Sequence, residues 1–332
     1  MIVVKGVRRI GKSSLVNVGL RVAEKKLYTI FDARSIPELT IDNIYTVFEA
    51  ELTRLITRAS SLRTTILKFL EKVEGIKFSG VEVRLTRRRP KVVIEIVDAL
   101  EKIAQEAGEP LILVFDEAQE FSILRGFNSL LAHIYDYYDH VKIILAGSEI
   151  GILDKLLGTT KPESPLYGRP YLEIYMRRLP YSSSKKFLEQ GFQELGIEWP
   201  QNYIEDAVNK LDGIPGWLTY YGYYAYTTKN HREAVEKVLD EGSQLVRLEI
   251  EHFLAQRLQA KTRYKKILEC LSIEPMKWSR LKLCLETAIG RRLNNSQYTR
   301  YLHELENYSF IEKEGEEYKL ADPLIRYAVR KL

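Results

Sequence analysis

Over the first 180 residues, short runs of apolar and β-branched residues alternate with longer stretches whose apolar positions recur at helical spacing. This alternation is typical of a mainly parallel β-sheet covered by helices, so the pattern predicts an α/β fold. The long stretch between the second and third strands predicts an insertion with helical periodicity at 41–74, a hairpin at 76–85 and another helix at 92–107. The predicted strands are 2–5, 28–32, 111–116, 141–146 and 171–175.

From Ser182 to Gly242 the pattern becomes all-helical, interrupted by Pro200 and by the segment 213–216. This stretch predicts a helical lid, followed by a helix of about twenty residues that ends near Leu258. Three helices and two short strands around a glycine then follow, which is the layout of a winged-helix domain. We therefore predict three domains, at 1–180, 181–258 and 259–332. The predicted winged-helix elements are 264–272, 277–288, 296–308, 310–313 and 317–320.

The composition is that of a globular protein, with 45% hydrophobic and 29% charged residues in a chain of 332. No apolar run approaches the roughly 20 residues that span a bilayer, and no signal-peptide core follows Met1. We therefore expect no membrane partner and a cytoplasmic location. The two cysteines, Cys270 and Cys284, have no CxxC spacing and no nearby histidine, which argues against a zinc site or a disulfide. We expect both to be reduced core residues.

The net charge of +5 arises from the last 73 residues, which hold 15 Lys/Arg and 10 Asp/Glu. A basic C-terminal module suggests either nucleic acid or an acidic protein surface as a partner. The predicted wing at 312–317 carries four acids and one lysine, and acids repel DNA phosphates. Two alternatives stay open, DNA binding and packing of the winged helix against the α/β core of its own chain. The polar residues on or before its third helix are Arg291, Arg292, Asn294, Asn295, Gln297, Arg300 and His303.

The segment from Gly6 to Ser13 matches G-x-x-x-x-G-K-[ST], and it lies between the first predicted strand and a helix that starts near Ser14. Glycines permit a tight loop whose amides turn toward phosphate oxygens, and the following helix directs its positive end at them. Lys12 is expected to contact the β- and γ-phosphates, and Ser13 to offer its hydroxyl to Mg²⁺. The predicted phosphate-binding residues are Gly6, Val7, Arg8, Arg9, Ile10, Gly11, Lys12, Ser13 and Ser14.

Two acids, Asp116 and Glu117, close the apolar strand at 111–116. A P-loop enzyme requires a carboxylate for the metal and a second one for the attacking water. We predict that Asp116 holds Mg²⁺ and that Glu117 orients and deprotonates water. The simpler alternative for an isolated acidic pair is a helix cap or a solvated turn.

Three further residues are candidates for a role at the nucleotide site, and each also has an ordinary structural explanation. Ser148 follows the strand at 141–146 and can sense phosphate or hold water, or it can simply cap the next helix. Arg169 follows a segment rich in Gly and Pro and can reach a γ-phosphate in cis or in a neighbouring subunit, although a surface arginine is the default. Pro215 can cover an adenine, or it can mark only a helix-breaking turn.

Taken together, these motifs resemble the archaeal P-loop ATPase family of the STAND branch, which is related to AAA+ proteins. The resemblance extends in order over nearly the whole chain, with an arginine pair, Arg8 and Arg9, inside the loop. It implies an ATPase core, a helical lid and a winged-helix domain, with ATP and Mg²⁺ as cofactors. By the same resemblance Lys12 and Ser13 bind phosphate and metal, Asp116 and Glu117 serve metal and water, and Pro215 lies near the base. The segments that carry the resemblance are 6–15, 115–119, 147–149, 163–169, 213–218 and 321–324.

Members of this family usually have a segment with an Arg-Glu pair before the P-loop strand, which here starts at residue 2. We expect either a start upstream of Met1, or weak or partner-dependent nucleotide binding. Three functions stay open: an ATP-hydrolysing switch, an ATP-regulated DNA-binding protein, and a nucleotide-binding scaffold without turnover. A protein partner or self-association is compatible with each. No guanine-selecting N-K-x-D element is present, which favours ATP.

Overall fold

A computed structural model of the chain describes residues 1–35, 38, 40–86, 90–158 and 161–332. These residues form two compact units. Unit 1 comprises Met1–Gly6 and Lys12–Tyr175, and unit 2 comprises Val7–Gly11 and Met176–Leu332. Within the described ranges, no helix is long and apolar enough to cross a bilayer.

Unit 1 is built on a five-stranded, fully parallel sheet with the strand order β2-β5-β6-β1-β7. The predicted α/β class is therefore confirmed, and the strand bounds differ from prediction by at most one residue. In a parallel sheet the carboxyl ends of adjacent strands meet at one edge, where ligands of open α/β folds bind. The strands are β1 Ile2–Lys5, β2 Tyr28–Asp32, β5 Leu111–Asp116, β6 Val141–Gly147 and β7 Leu172–Tyr175.

The helices of unit 1 bury their apolar faces against this sheet and against the inserted hairpin. Phe31 and Phe115, on neighbouring strands, stack at 5.2 Å between ring centroids, and Phe48 from the inserted helix packs on Phe31. The insertion thus joins the main hydrophobic core. The remaining elements are α1 Lys12–Val22, α2 Ile41–Arg58, α3 Arg63–Leu70, β3 Ile76–Ser79, β4 Glu82–Leu85, α4 Pro90–Ala107, α5 Phe127–Tyr137 and α6 Ile150–Leu157.

Unit 2 contains the predicted helical lid and the predicted winged helix around one hydrophobic core. The winged helix contains three helices and a small antiparallel sheet of order β8-β10-β9, in which β8, a short strand between the first and second of these helices, was not predicted by the sequence pattern. The winged-helix prediction is confirmed, whereas the boundary at residue 258 stays a prediction. The elements are α7 Tyr181–Glu194, α8 Gln201–Leu211, α9 Pro215–Thr228, α10 His231–Ala255, α11 Lys261–Leu271, β8 Met276–Lys277, α12 Trp278–Ile289, α13 Asn295–Asn307, β9 Ile311–Glu314, β10 Glu317–Leu320 and α14 Ile325–Val329.

The prediction of two reduced cysteines is wrong. Cys270 on α11 and Cys284 on α12 form a disulfide, with Cα atoms 6.3 Å apart. The two helices pack against each other, and that packing brings the thiols together. A separation of 14 residues matches no short cysteine motif, so only the tertiary arrangement reveals the pair.

Candidate functional site

The loop between β1 and α1 contains left-handed backbone at two positions. Gly11 has a φ of 96°, in the left-handed region that side chains rarely adopt, and Arg9 has a φ of 64°. Lys12, the first residue of α1, is buried, and its Nζ donates to the carbonyl oxygen of Gly6 at 2.9 Å. A buried cation at a helix N-terminus is well suited to phosphate.

The structure brings Ser13 and Asp116 together at the carboxyl edge of the sheet. The Ser13 hydroxyl donates to Asp116 Oδ2 at 2.5 Å. Burial raises the pKa of Asp116, and the Ser13 hydrogen bond and Arg34 oppose that rise. A hydroxyl beside a buried carboxylate is a suitable donor pair for Mg²⁺, which prefers oxygen and takes its other ligands from water and phosphate. The described residues contain no group of three His, Cys, Asp or Glu side chains that could hold a metal, so these two oxygens fit only a metal that brings further ligands.

Glu117 is held in a single orientation just after β5. Its backbone is left-handed, with φ 51° and ψ 52°, a strained conformation for a residue with a side chain. Its Oε2 accepts hydrogen bonds from the amide and hydroxyl of Ser148, at 2.9 and 2.7 Å, and from Gln119 Nε2 at 2.9 Å. Burial opposes ionisation, but Lys12 and these hydrogen bonds together lower the pKa of Glu117. The carboxylate is therefore ionised at neutral pH, as a base for water must be.

Sequence reasoning missed two residues at the same edge, Asp32 and Arg34. The strand register sets Asp32 opposite Asp116. Arg34, in the 3₁₀ turn Ala33–Ser35, donates through Nη2 to Asp116 Oδ2 at 2.6 Å and to Ser13 Oγ at 3.0 Å. An acid that closes a predicted strand, here Asp32, is the one sequence signal that could have identified this cluster.

Arg9 of the loop makes its side-chain contacts within unit 2. Its guanidinium lies 4.3 Å from the ring centroid of Trp217, and Nη2 donates to Glu249 at 2.7 Å. The amide of Gly216 donates to the Arg9 carbonyl oxygen at 2.9 Å, which requires a close approach that a Cβ on Gly216 would obstruct. Asp322 accepts from Trp217 Nε1 at 3.0 Å, and burial raises the pKa of Asp322 to about 6.

The structure brings some predicted residues together and holds others elsewhere. Lys12, Ser13, Asp116, Glu117 and Ser148 are linked within unit 1 by the contacts above. The backbone carbonyl of Pro165 and the Asp136 carboxylate, at 2.5 Å, bind the guanidinium of Arg169, whose catalytic role stays a prediction. Pro215 is the first residue of α9, so its helix-initiating role accounts for it locally, and its contact with a base also stays a prediction.

The chain is similar to several known proteins in sequence and in fold. Residues 1–221 match the profile of an ATPase domain predominantly from Archaea, and residues 258–321 match that of the MCM protein C-terminal winged helix-turn-helix domain. The Walker-type ATPase PABY2304 of Pyrococcus abyssi is 29% identical, with a TM-score of 0.79, and the match covers 99% of this chain and 90% of that one. The ORC2 protein of Aeropyrum pernix, in its ADP form, is similar in fold, at 15% identity and a TM-score of 0.53 over 99% of this chain and 87% of that one. No curated protein matches the chain.

Proposed function

Since the chain belongs to the family of ATPase domains found predominantly in Archaea, we propose that it is an ATP-hydrolysing molecular switch of the STAND/AAA+-related type. The observation that carries hydrolysis is the fixed Glu117 carboxylate, which three hydrogen bonds hold through one oxygen. A scaffold that only binds nucleotide has no need of a buried, ionised carboxylate beside its lysine. The left-handed backbone and the burial of Glu117 both cost free energy of folding, and a catalytic role explains why the protein keeps them.

Each residue of the site has one task in the proposed reaction. Lys12 and the loop amides bind the phosphates of ATP, and the α1 N-terminus adds a favourable dipole. Ser13 and Asp116 would hold Mg²⁺, which when bound neutralises charge on the phosphates. Glu117 orients a water molecule and accepts its proton as the water oxygen bonds to the γ-phosphorus, while the bond from that phosphorus to the β,γ-bridging oxygen breaks and ADP leaves. Ser148 and Gln119 position Glu117 rather than contact the reacting atoms.

The switch is supported by the divided character of the loop. Residues 7–11 belong to unit 2, whereas Gly6 and Lys12 belong to unit 1. Arg9 is part of the phosphate-binding loop, and its side chain contacts Trp217, Glu249 and Asp322. A change in the backbone of the loop therefore bears directly on these contacts. ATP shifts this equilibrium only if it binds one arrangement of those contacts more tightly than another.

Hydrogen exchange tests the switch. In a Glu117→Gln background, we expect Mg·ATP to change the exchange of backbone amides at 231–255 and 321–325. Adding Arg9→Gln should abolish that change while ATP binding persists, and adding Arg21→Gln, which removes an exposed arginine of α1, should preserve it. Binding without any change in these unit 2 amides would contradict the switch and leave a nucleotide-binding protein.

DNA binding by the winged helix is a second candidate. Arg291, Arg292 and Arg300 are exposed beside or on α13, the helix that enters the major groove in helix-turn-helix proteins. The wing is less suitable, because its Glu312 pairs with Arg178 at 2.7 Å within unit 2. A duplex titration at two salt concentrations tests this function. Binding that weakens steeply with salt and is lost on Arg291→Gln/Arg292→Gln would support it, and no binding at low salt would exclude it.

A further inference from the structure

We infer that Arg34 is a resident cation that occupies the metal position of this site and must leave before a divalent metal can bind. The inference rests on the proposed function, because it concerns the metal that accompanies ATP. It assigns to Arg34 a role in setting metal affinity and in making metal loading depend on nucleotide.

The position of one nitrogen atom carries the argument. Nη2 of Arg34 lies 2.6 Å from Asp116 Oδ2, 3.0 Å from Ser13 Oγ and 3.0 Å from Asp32 Oδ2. One hydroxyl and two carboxylates therefore surround a single positively charged group. Oxygen atoms of these types are the ligands that Mg²⁺ prefers. The guanidinium already makes the contacts that a divalent cation would make.

The local fold delivers Arg34 to this position. The register of the sheet pairs Asp32 with Asp116, so the two acids stand side by side at the ends of β2 and β5. The chain then enters the turn Ala33–Ser35, in which the Arg34 amide and Nε both donate to Asp32 Oδ1 at 2.9 Å. Asp32 thereby directs the arginine side chain toward Asp116.

Of the ion pair between Arg34 and Asp116, Arg34 is the residue that can leave the site, because its side chain is the exposed one. The side chain of Arg34 is 52% exposed, whereas that of Asp116 is 4% exposed. The arginine can rotate into water, but the buried carboxylate cannot follow it. A carboxylate with so little access to solvent is costly to leave without a cation, so Arg34 stabilises the site until a metal replaces it.

Competition follows from charge. A guanidinium and a divalent cation repel each other at contact distance and cannot share the same three oxygens. A metal ion that binds without nucleotide must displace Arg34, so its binding free energy is reduced by the energy of the ion pairs that Arg34 makes with Asp32 and Asp116. Metal that arrives with ATP gains phosphate oxygens as additional ligands, which offsets that loss. We therefore expect weak metal binding without nucleotide and strong binding with it.

Mn²⁺ binding to the nucleotide-free protein, followed by the electron paramagnetic resonance signal of free Mn²⁺, tests the inference. We expect Arg34→Gln to bind Mn²⁺ about tenfold more tightly than the unmodified chain. Arg34→Lys, which keeps a cation on a side chain of similar reach, should remain close to the unmodified chain. Arg84→Gln is the matched control, because Arg84 is an exposed arginine on β4 paired with Glu82, and it should leave the affinity unchanged. A thermal transition shared by all variants verifies folding.

Two results would overturn the inference. Equal Mn²⁺ affinity in Arg34→Gln and the unmodified chain, including no detectable binding in either, would mean that Arg34 does not compete. Tight binding that survives in Arg34→Gln/Asp116→Asn would locate the metal elsewhere. Failure of the proposed function is a separate outcome, because it appears as absent Mg·ATP binding or absent phosphate release by the unmodified chain, which a parallel ATP titration and a hydrolysis assay measure.

Discussion

The Ser148 hydroxyl lies 2.7 Å from Oε2 of Glu117, and the Ser148 amide donates to the same oxygen at 2.9 Å. Both groups are buried, so water does not substitute readily for a lost donor. The serine therefore fixes which oxygen of Glu117 remains available for a water molecule. It does so from the position just after β6, the strand that lies between β5, which precedes Glu117, and β1, which precedes the P-loop.

Ser148→Ala removes one of these donors and should slow ATP hydrolysis by about tenfold or more, while ATP affinity changes little. Because the Ser148 hydrogen bond lowers the pKa of Glu117, its loss raises that pKa and moves the acid limb of the pH–rate profile to higher pH. Steady-state phosphate release from pH 4 to 8 measures both effects. Ser122→Ala alters an exposed serine of unit 1 and is the control. Unchanged turnover and an unmoved acid limb would show that Ser148 does not position the base.

The disulfide between Cys270 and Cys284 should stabilise unit 2. Closing a loop of this length restricts the unfolded chain and contributes about 3 kcal/mol in the chain-entropy description. We therefore expect Cys270→Ser/Cys284→Ser to lower the urea midpoint of unit 2. Trp199, Trp217 and Trp278 are the three tryptophans of the chain and all lie in unit 2, so their fluorescence reports this unit selectively. Identical midpoints with and without the bond would contradict its stabilising role.

Asp322 should make the stability of unit 2 depend on pH. Burial raises its pKa to about 6, above the ordinary value for aspartate, so the folded state binds this proton more tightly than the unfolded state does. The group therefore stabilises unit 2 as the pH falls through about 6, and that stabilisation is lost as the pH rises. Between pH 7 and pH 5 the contribution is about 1 kcal/mol.

The measurement is the change in urea midpoint between those two pH values. Asp322→Asn keeps an acceptor for Trp217 Nε1 but cannot titrate, so it should remove about 1 kcal/mol of the pH dependence. Asp240→Asn alters an exposed carboxylate of the same unit, paired with Lys331, and should retain it. An equal pH dependence in Asp322→Asn and the unmodified chain would refute the assignment.

The sheet and the phosphate-binding loop were predictable because both are local features. Runs such as 111–116 carry their strand signal within six residues, and the loop motif is complete within eight. The strand order was not predicted, but β6 does neighbour β1, which the role considered for Ser148 requires.

The Arg34 cluster was not predictable in the same way. Ser13, Asp32, Arg34 and Asp116 come together only because β2 pairs with β5, a long-range choice that periodicity does not encode. The same holds for Arg9, whose partners Trp217, Glu249 and Asp322 follow it by more than 200 positions. In both cases the sequence contains the arginine, but only the tertiary structure shows which residues it contacts.

The central claim is that Lys12 binds the phosphates of ATP and that Glu117, in the same site, activates the water that hydrolyses ATP. The most direct test compares Mg·ATP binding and phosphate release by the unmodified chain, Lys12→Ala and Glu117→Gln. We predict that the unmodified chain binds and hydrolyses ATP, that Lys12→Ala loses binding, and that Glu117→Gln keeps binding but loses turnover. Phosphate release by Glu117→Gln at the rate of the unmodified chain, or ATP binding by Lys12→Ala with unchanged affinity, would contradict the account.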